Sequence, residues 1–127
     1  MTDVDEKYDK NNIFAKILRG EIPCKKIYED EYVLAFYDVN PQKKMHALVI
    51  PKGEYINLDD FSINAPEKEI VGLVKGISKV ATIIGVSPAL KGAGYRSLVN
   101  VGDHGGQEVQ HLHFHIFGGE KVGKMVS

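Results

Sequence analysis

In the segment His111-Leu112-His113-Phe114-His115-Ile116-Phe117, histidine and apolar residues alternate strictly before the chain turns at Gly118-Gly119. A period of two is the β-strand period, because successive side chains project from opposite faces. The segment therefore predicts a strand that sends Leu112, Phe114 and Ile116 into a core and lines up His111, His113 and His115 on its other face. Histidine has an ordinary pKa of about 6.5, so such a row sets nucleophiles, proton carriers or metal ligands side by side at neutral pH. Any fold for this chain has to bury one face of that strand and leave the other to chemistry.

The rest of the chain has to supply the sheet. At 127 residues there is room for one domain with a sizeable core. Its 43% hydrophobic and 26% charged residues are those of an ordinary globular protein, and no apolar run is long enough to cross a bilayer. Sixteen Lys+Arg against seventeen Asp+Glu leave a formal charge of −1, which gives no global positive field for nucleic acid or a membrane surface. Residues 1–11 are polar, carry no apolar targeting core and read as a disordered, solvated tail ahead of a single domain at 12–127. Cys24 is the sole cysteine, which favours a reducing cytoplasmic setting and a structural role for the thiol.

Asn12 is placed to cap a short helix bearing Ile13, Phe14, Ile17 and Leu18 on one face, with Gly20 at its end. Residues 26–29 and 32–39 read as a hairpin around the acidic Asp30-Glu31 turn, and residues 46–51 as an apolar strand central in its sheet. A long helix is expected over 64–84, capped by Asn64 with Glu67, burying Ile70, Leu73, Val74, Ile77, Ala81 and Ile84, and stopped by Gly85. A strand at 95–100, a Gly-rich turn at 102–106 and the histidine strand complete the order. The class is α+β: an antiparallel sheet of about five strands with one long and one short helix.

A purely structural histidine row would need hydrogen-bond partners for three polar rings on one face. A zinc site completed by His46 or His104 is the rival reading, although no cysteine and no acidic residue within the row supports it. A nucleophilic site accounts for more. An imidazole with one nitrogen held as an N–H donor aims the lone pair of the other outward, and neighbouring imidazoles can donate to phosphate oxygens. The turn between the last two strands, Asn100-Val101-Gly102-Asp103-His104-Gly105-Gly106-Gln107, can offer backbone N–H groups to an anion, with Asn100 and Gln107 as amide donors.

The histidine row resembles the signature of the histidine triad superfamily. Asn12-Ile13-Phe14, Glu21-Ile22-Pro23, Ala35-Phe36-Tyr37-Asp38, residues 46–52 and Gly105-Gly106-Gln107 extend the resemblance to its nucleotide-binding branch, the purine nucleoside phosphoramidases. The third histidine sets the chain apart from the transferase branch, which has glutamine there. The resemblance implies a homodimer whose sheets join across the interface, and hydrolysis of purine nucleoside 5′-phosphoramidates with no cofactor or metal. In that reading His113 attacks the α-phosphorus, His111 orients the network, His115 contacts a phosphate oxygen and His46 belongs to the same network. Asp38 binds the ribose, Ile13, Phe14, Ile17, Phe36, Tyr37 and Val39 surround the base, and Asn100, Gly106 and Gln107 surround the phosphate and leaving group. Glu108 stands where relatives often have serine beside the leaving group, and the chain lacks the tryptophan that some of their C-terminal tails carry. Alternative activities are hydrolysis of dinucleoside polyphosphates or aminoacyl adenylates, or a nucleotide- or partner-binding role.

Overall fold

The computed structural model describes residues 7–125. Helix α1 (Ile13–Leu18) precedes the strands β1 (Lys26–Glu29), β2 (Val33–Tyr37) and β3 (Met45–Pro51). Helices α2 (Leu58–Asn64) and α3 (Glu67–Ile83), a 3-10 turn (Pro88–Leu90) and the strands β4 (Arg96–Val99) and β5 (Phe114–Gly118) follow. The five strands form one sheet in the order β1-β2-β3-β5-β4, and every neighbouring pair is antiparallel. The expected hairpin is present: Asp30 Oδ1 accepts from the backbone N–H groups of Tyr32 at 2.8 Å and Val33 at 2.9 Å, closing the turn between β1 and β2. No helix among the described residues is long and apolar enough to cross a membrane.

Register assigns the two faces. Residues directly opposite in an antiparallel pair point to the same side, so the pairs Ala35↔Val49 and Ala47↔Ile116 define one face, and Phe36↔Leu48 and Leu48↔His115 the other. The first face carries Val33, Ala35, Ala47, Val49 and Ile116, all buried, and packs with Leu73, Val80 and Ala81 of α3 and Phe61 of α2. The valine, leucine, isoleucine and phenylalanine side chains among them each stabilise the fold by about 1.5–3 kcal/mol when fully removed from water. Leu112 and Phe114 also reach this core, as the alternation predicts. The second face carries Leu34, Phe36, Leu48 and Ile50, against which α1 lays Phe14.

Helix α3 sits close on the sheet because it turns glycines toward it. A Cβ at Gly76 would lie 2.9 Å from Val33 Cγ2, and one at Gly72 2.6 Å from the Tyr32 ring. Helix α1 is capped as expected, with Asn12 Oδ1 accepting from Ala15 N–H at 2.9 Å.

The helix expected over 64–84 is α3, which starts three residues later at Glu67, and a separate helix that the sequence pattern did not single out, α2, ends at Asn64. Pro66 disfavours helical geometry at the residue before it, and Ala65 is extended with ψ at 146°. Asn64 is therefore the last residue of α2, donating to Asp60 Oδ1 at 2.7 Å, and Pro66, not Asn64, stands at the N-terminus of α3 with no side-chain cap. Val74, expected inside, is 63% exposed, because the sheet covers a narrower stripe of α3 than the sequence pattern suggests.

The histidine strand is also shorter than expected. It begins at Phe114, so only His115 belongs to the ladder, while His111 and His113 precede it. Continuing the β3–β5 pairing would set Leu112 against Pro51, which has no N–H to donate, and the Leu112 N–H goes to the Tyr55 carbonyl at 2.8 Å instead. Part of the expected tail is placed as well: Tyr8 contacts His111, and Asp9 accepts from Asn12. Residues 1–6 lie outside the described region.

Candidate active site

His111 and His113 are buried although they precede the strand, and the reason lies in their hydrogen bonds. His111 Nε2 is 2.9 Å from the Pro51 carbonyl oxygen, which can only accept, so Nε2 carries the proton and Nδ1 is an acceptor. The Tyr8 hydroxyl donates to that Nδ1 at 2.5 Å. His113 Nδ1 is 2.7 Å from the His111 carbonyl oxygen and by the same logic carries the proton. His113 Nε2 is then unprotonated, and its lone pair belongs to the ring edge that the backbone does not use.

A second chain fixes His115. The Gln42 backbone N–H donates to His46 Nδ1 at 3.2 Å, which places the His46 proton on Nε2. His46 Nε2 lies 2.9 Å from His115 Nδ1 and 3.4 Å from Asp38 Oδ2. His46 thus donates to His115, and His115 keeps its own proton on Nε2 as a donor. Phe117 stacks on His115 with ring planes 7° apart and a centroid separation of 5.6 Å. Phe14 of α1 meets His113 edge-on at 4.9 Å.

Burial makes these rings neutral. It pushes His111 from 6.5 down to about 4, against the raising effect of the Pro51 carbonyl. His115 is likewise held at about 4 by burial and by its neighbours His113 and His46. His113 is lowered by burial, partly offset by the His111 carbonyl and the Asp38 and Glu108 charges, and His46 is lowered by burial against Asp38. One unprotonated nitrogen therefore stands beside one fixed N–H donor, the pairing suited to attack at a centre whose oxygens gather negative charge.

Those groups open on a cavity of about 350 Å³. Its apolar lining includes the expected Ile13, Phe14, Ile17, Phe36, Tyr37 and Val39. Asp38, Asn100, Gly106, Glu108, His113 and His115 supply the polar side. His46 and His111 stand behind this wall as orienting groups. Gln107 does not reach the cavity: it is buried, with Nε2 donating to the Ile56 and Val109 carbonyls at 2.7 and 3.0 Å and Oε1 accepting from Gly102 N–H at 3.0 Å. Its amide shapes the glycine turn. The N–H groups of Gly106 and Gln107 are also spent inside that turn, on the Asp103 and Gly102 carbonyls.

Ile22, Pro23, Cys24, Asn40, Gln42, Leu48 and Val109 line the cavity as well, and the sequence reading does not assign them to the site. Leu48 was in principle readable, since it faces Phe36 across β2 and β3. Gln42 acts through its backbone and left no signal. Among the described residues, Asp38, His46 and His115 bring metal-type ligand atoms within 4.8 Å of one another. Hydrogen bonding already accounts for their approach, and the triad does not converge on one point: His111 turns to Pro51 and Tyr8, and His104 is exposed in the turn.

Comparison with known proteins gives the same picture. The HIT domain model matches residues 19–122. A HIT-like protein of Azospirillum brasilense is 52% identical over 120 residues, covering 94% of this chain and 95% of its own. The purine nucleoside phosphoramidase of Escherichia coli K12 is 36% identical over 119 residues, covering 93% and 95%. Among solved structures, a HIT family hydrolase from Clostridium thermocellum superposes with a TM-score of 0.82 at 34% identity, over 94% of this chain and 99% of that one. A histidine triad protein from Clostridium difficile gives 0.78 at 41% identity, over 93% and 98%. Similarity over nearly the whole length, in a chain that sets His113 and His115 at one cavity with His111 behind them, makes this protein a member of the HIT family.

Proposed function

We propose that the protein is a cytoplasmic, homodimeric hydrolase that cleaves the P–N bond of purine nucleoside 5′-phosphoramidates through a nucleotidyl-His113 intermediate. The observation that carries this reading is His113 itself: neutral by burial, its Nδ1 proton committed to the His111 carbonyl at 2.7 Å, its Nε2 free beside the cavity. In the reaction Nε2 bonds to the α-phosphorus as the P–N bond breaks, and the amine leaves with a proton taken from solvent, which the attacking water returns in the next step. Water then cleaves the P–N bond to His113 and releases the nucleoside monophosphate. His115 Nε2–H stabilises a non-bridging oxygen, the interaction that counts most where charge develops.

The purine fits against the apolar side of the cavity that Phe14 and Phe36 help to form, and the ribose hydroxyls fit Asp38 at its polar border. Val39, 88% exposed, and Ile13, 47% exposed, lie at the rim, where a bound base would cover them. Glu108, exposed at the same cavity, favours an amine leaving group, whose cation it can pair with, over an anionic polyphosphate. A dimer is supported by the unpaired outer edge of β4 among the described strands, a surface that sheets tend to cover. Intact-mass analysis after mixing with an adenosine phosphoramidate should find one adenylyl group per chain, mapped to His113 and absent in His113→Ala. An adduct on another residue, or turnover surviving in that variant, would refute the assignment.

A further inference from the structure

Tyr8 is separated from His111 by 103 positions, yet its hydroxyl meets His111 Nδ1 and its ring crosses the imidazole edge-on with centroids 5.5 Å apart. Several contacts hold the segment there. Asn12 Nδ2 donates to the Asp9 carbonyl at 2.7 Å, Arg19 Nη1 donates to the Lys10 carbonyl at 2.7 Å, and Lys10 Nζ lies 3.8 Å from Glu54. Burial pushes the Tyr8 phenol up from its ordinary value, so it remains protonated and able to donate. His111 is wholly buried and its other nitrogen is committed to Pro51, so the phenol is what satisfies Nδ1. The next link is covalent: the carbonyl of this same residue accepts the His113 Nδ1 proton.

We infer that Tyr8 is a positioning residue for the reaction proposed above, whose hydroxyl fixes His111 and thereby the carbonyl that holds the nucleophile His113 in its productive tautomer and orientation. Tyr8 does not line the cavity, so it touches neither base nor phosphate and acts through His111 alone. Removing the hydroxyl leaves a buried acceptor without its partner, an arrangement that drives local rearrangement. A loose His111 carbonyl lets the His113 ring rotate, and small losses of alignment at a nucleophile are expensive in rate.

The test compares Tyr8→Phe, which keeps the ring, with Tyr8→Ala, which does not. Single-turnover adduct formation with an adenosine phosphoramidate should slow about tenfold in Tyr8→Phe, the size of one net hydrogen bond expressed as a rate, while the Kd for AMP stays unchanged. In parallel, the His113 Nδ1–H proton, assigned by its loss in His113→Ala, should exchange with water faster in Tyr8→Phe than in wild type by NMR. That measurement needs no turnover, so if the wild-type protein forms no adduct the proposed reaction fails and the proton alone decides about Tyr8. Wild-type rate and exchange in Tyr8→Phe, with only Tyr8→Ala impaired, would reduce Tyr8 to packing and overturn the inference. A slower rate with unchanged proton exchange would overturn the route through His111.

Discussion

Acid should unfold this protein through His111. The imidazole is wholly buried, and its pKa falls from 6.5 to about 4 in the folded chain, so between those values the unfolded chain binds a proton that the folded chain refuses. A folded-state pKa below the unfolded one gives stability that is intact above about pH 6.5 and is lost as pH falls toward 4. Integrating that linkage for one group gives a loss of about 2 kcal/mol at pH 5 and about 3 kcal/mol at pH 4 relative to pH 8. Against a typical total of about 5–15 kcal/mol that is a large share. His115, also at about 4 but less buried, adds a smaller, solvent-screened amount in the same direction, and the lowered His46 and His113 act alike. Urea unfolding at a series of pH values isolates the His111 share by comparison with His111→Gln, whose amide can donate to Pro51 and does not titrate. The wild-type curve should be flat above about pH 7 and fall more steeply below it than the variant's, the two drawing together by about 2 kcal/mol at pH 5. Parallel curves, or a wild-type curve flat down to pH 5, would refute the reasoning.

Three further outcomes are expected. Because His113 has to be unprotonated to attack and burial lowers its pKa, kcat/KM for an adenosine phosphoramidate should hold below the ordinary histidine value of 6.5 before an acid limb appears, and a limb centred above that value would contradict the burial effect. Glu108→Gln should lower the ratio of kcat/KM for the phosphoramidate to that for diadenosine tetraphosphate by about 3- to 10-fold, the scale of one rim charge, and an unchanged ratio would assign Glu108 to the surface alone. Sedimentation should give a species twice the 14.1 kDa chain mass, and Ser97→Pro on the β4 edge should raise its dissociation constant; a wild-type monomer at micromolar concentration would overturn the dimer.

Much of this molecule is legible in the sequence because residue type tracks the faces of the sheet, by alternation before and within β5 and by continuous apolar runs in β2 and β3. Leu112 and Ile116 are buried as the alternation says, and β3 is covered on both faces as its apolar run says. What the period could not show is where the ladder stops, since that depends on Pro51, a residue far away in the chain whose missing N–H leaves Leu112 unpaired to β3. The break before α3 was readable in Pro66 itself, but the capping pattern of Asn64 with Glu67 concealed it. The cavity's apolar wall followed from residue type, whereas Gln107 looked like a phosphate ligand and proved to be tied into its own turn. Tyr8 had no signal at all: a lone tyrosine in a polar stretch acquires meaning only when the fold carries it to His111.

The glycines under α3 set an order of assembly. Each glycine weakens a free helix by about 1 kcal/mol, and this helix has them at Gly72 and Gly76 within 17 residues, a length at which isolated helices are marginal in water even with good helix formers. Cut from the chain, α3 is expected to be largely unstructured, so it consolidates only once Tyr32 and Val33 of the hairpin are in place to receive it. The pairing that brings His115 opposite Leu48 spans 67 positions of chain and is entropically the more costly step. The early hairpin, by contrast, pairs residues only a few positions apart. The imidazoles at the cavity are therefore expected to come together late in folding, and under the proposed reaction no partly folded form of this chain should carry His113 ready to attack.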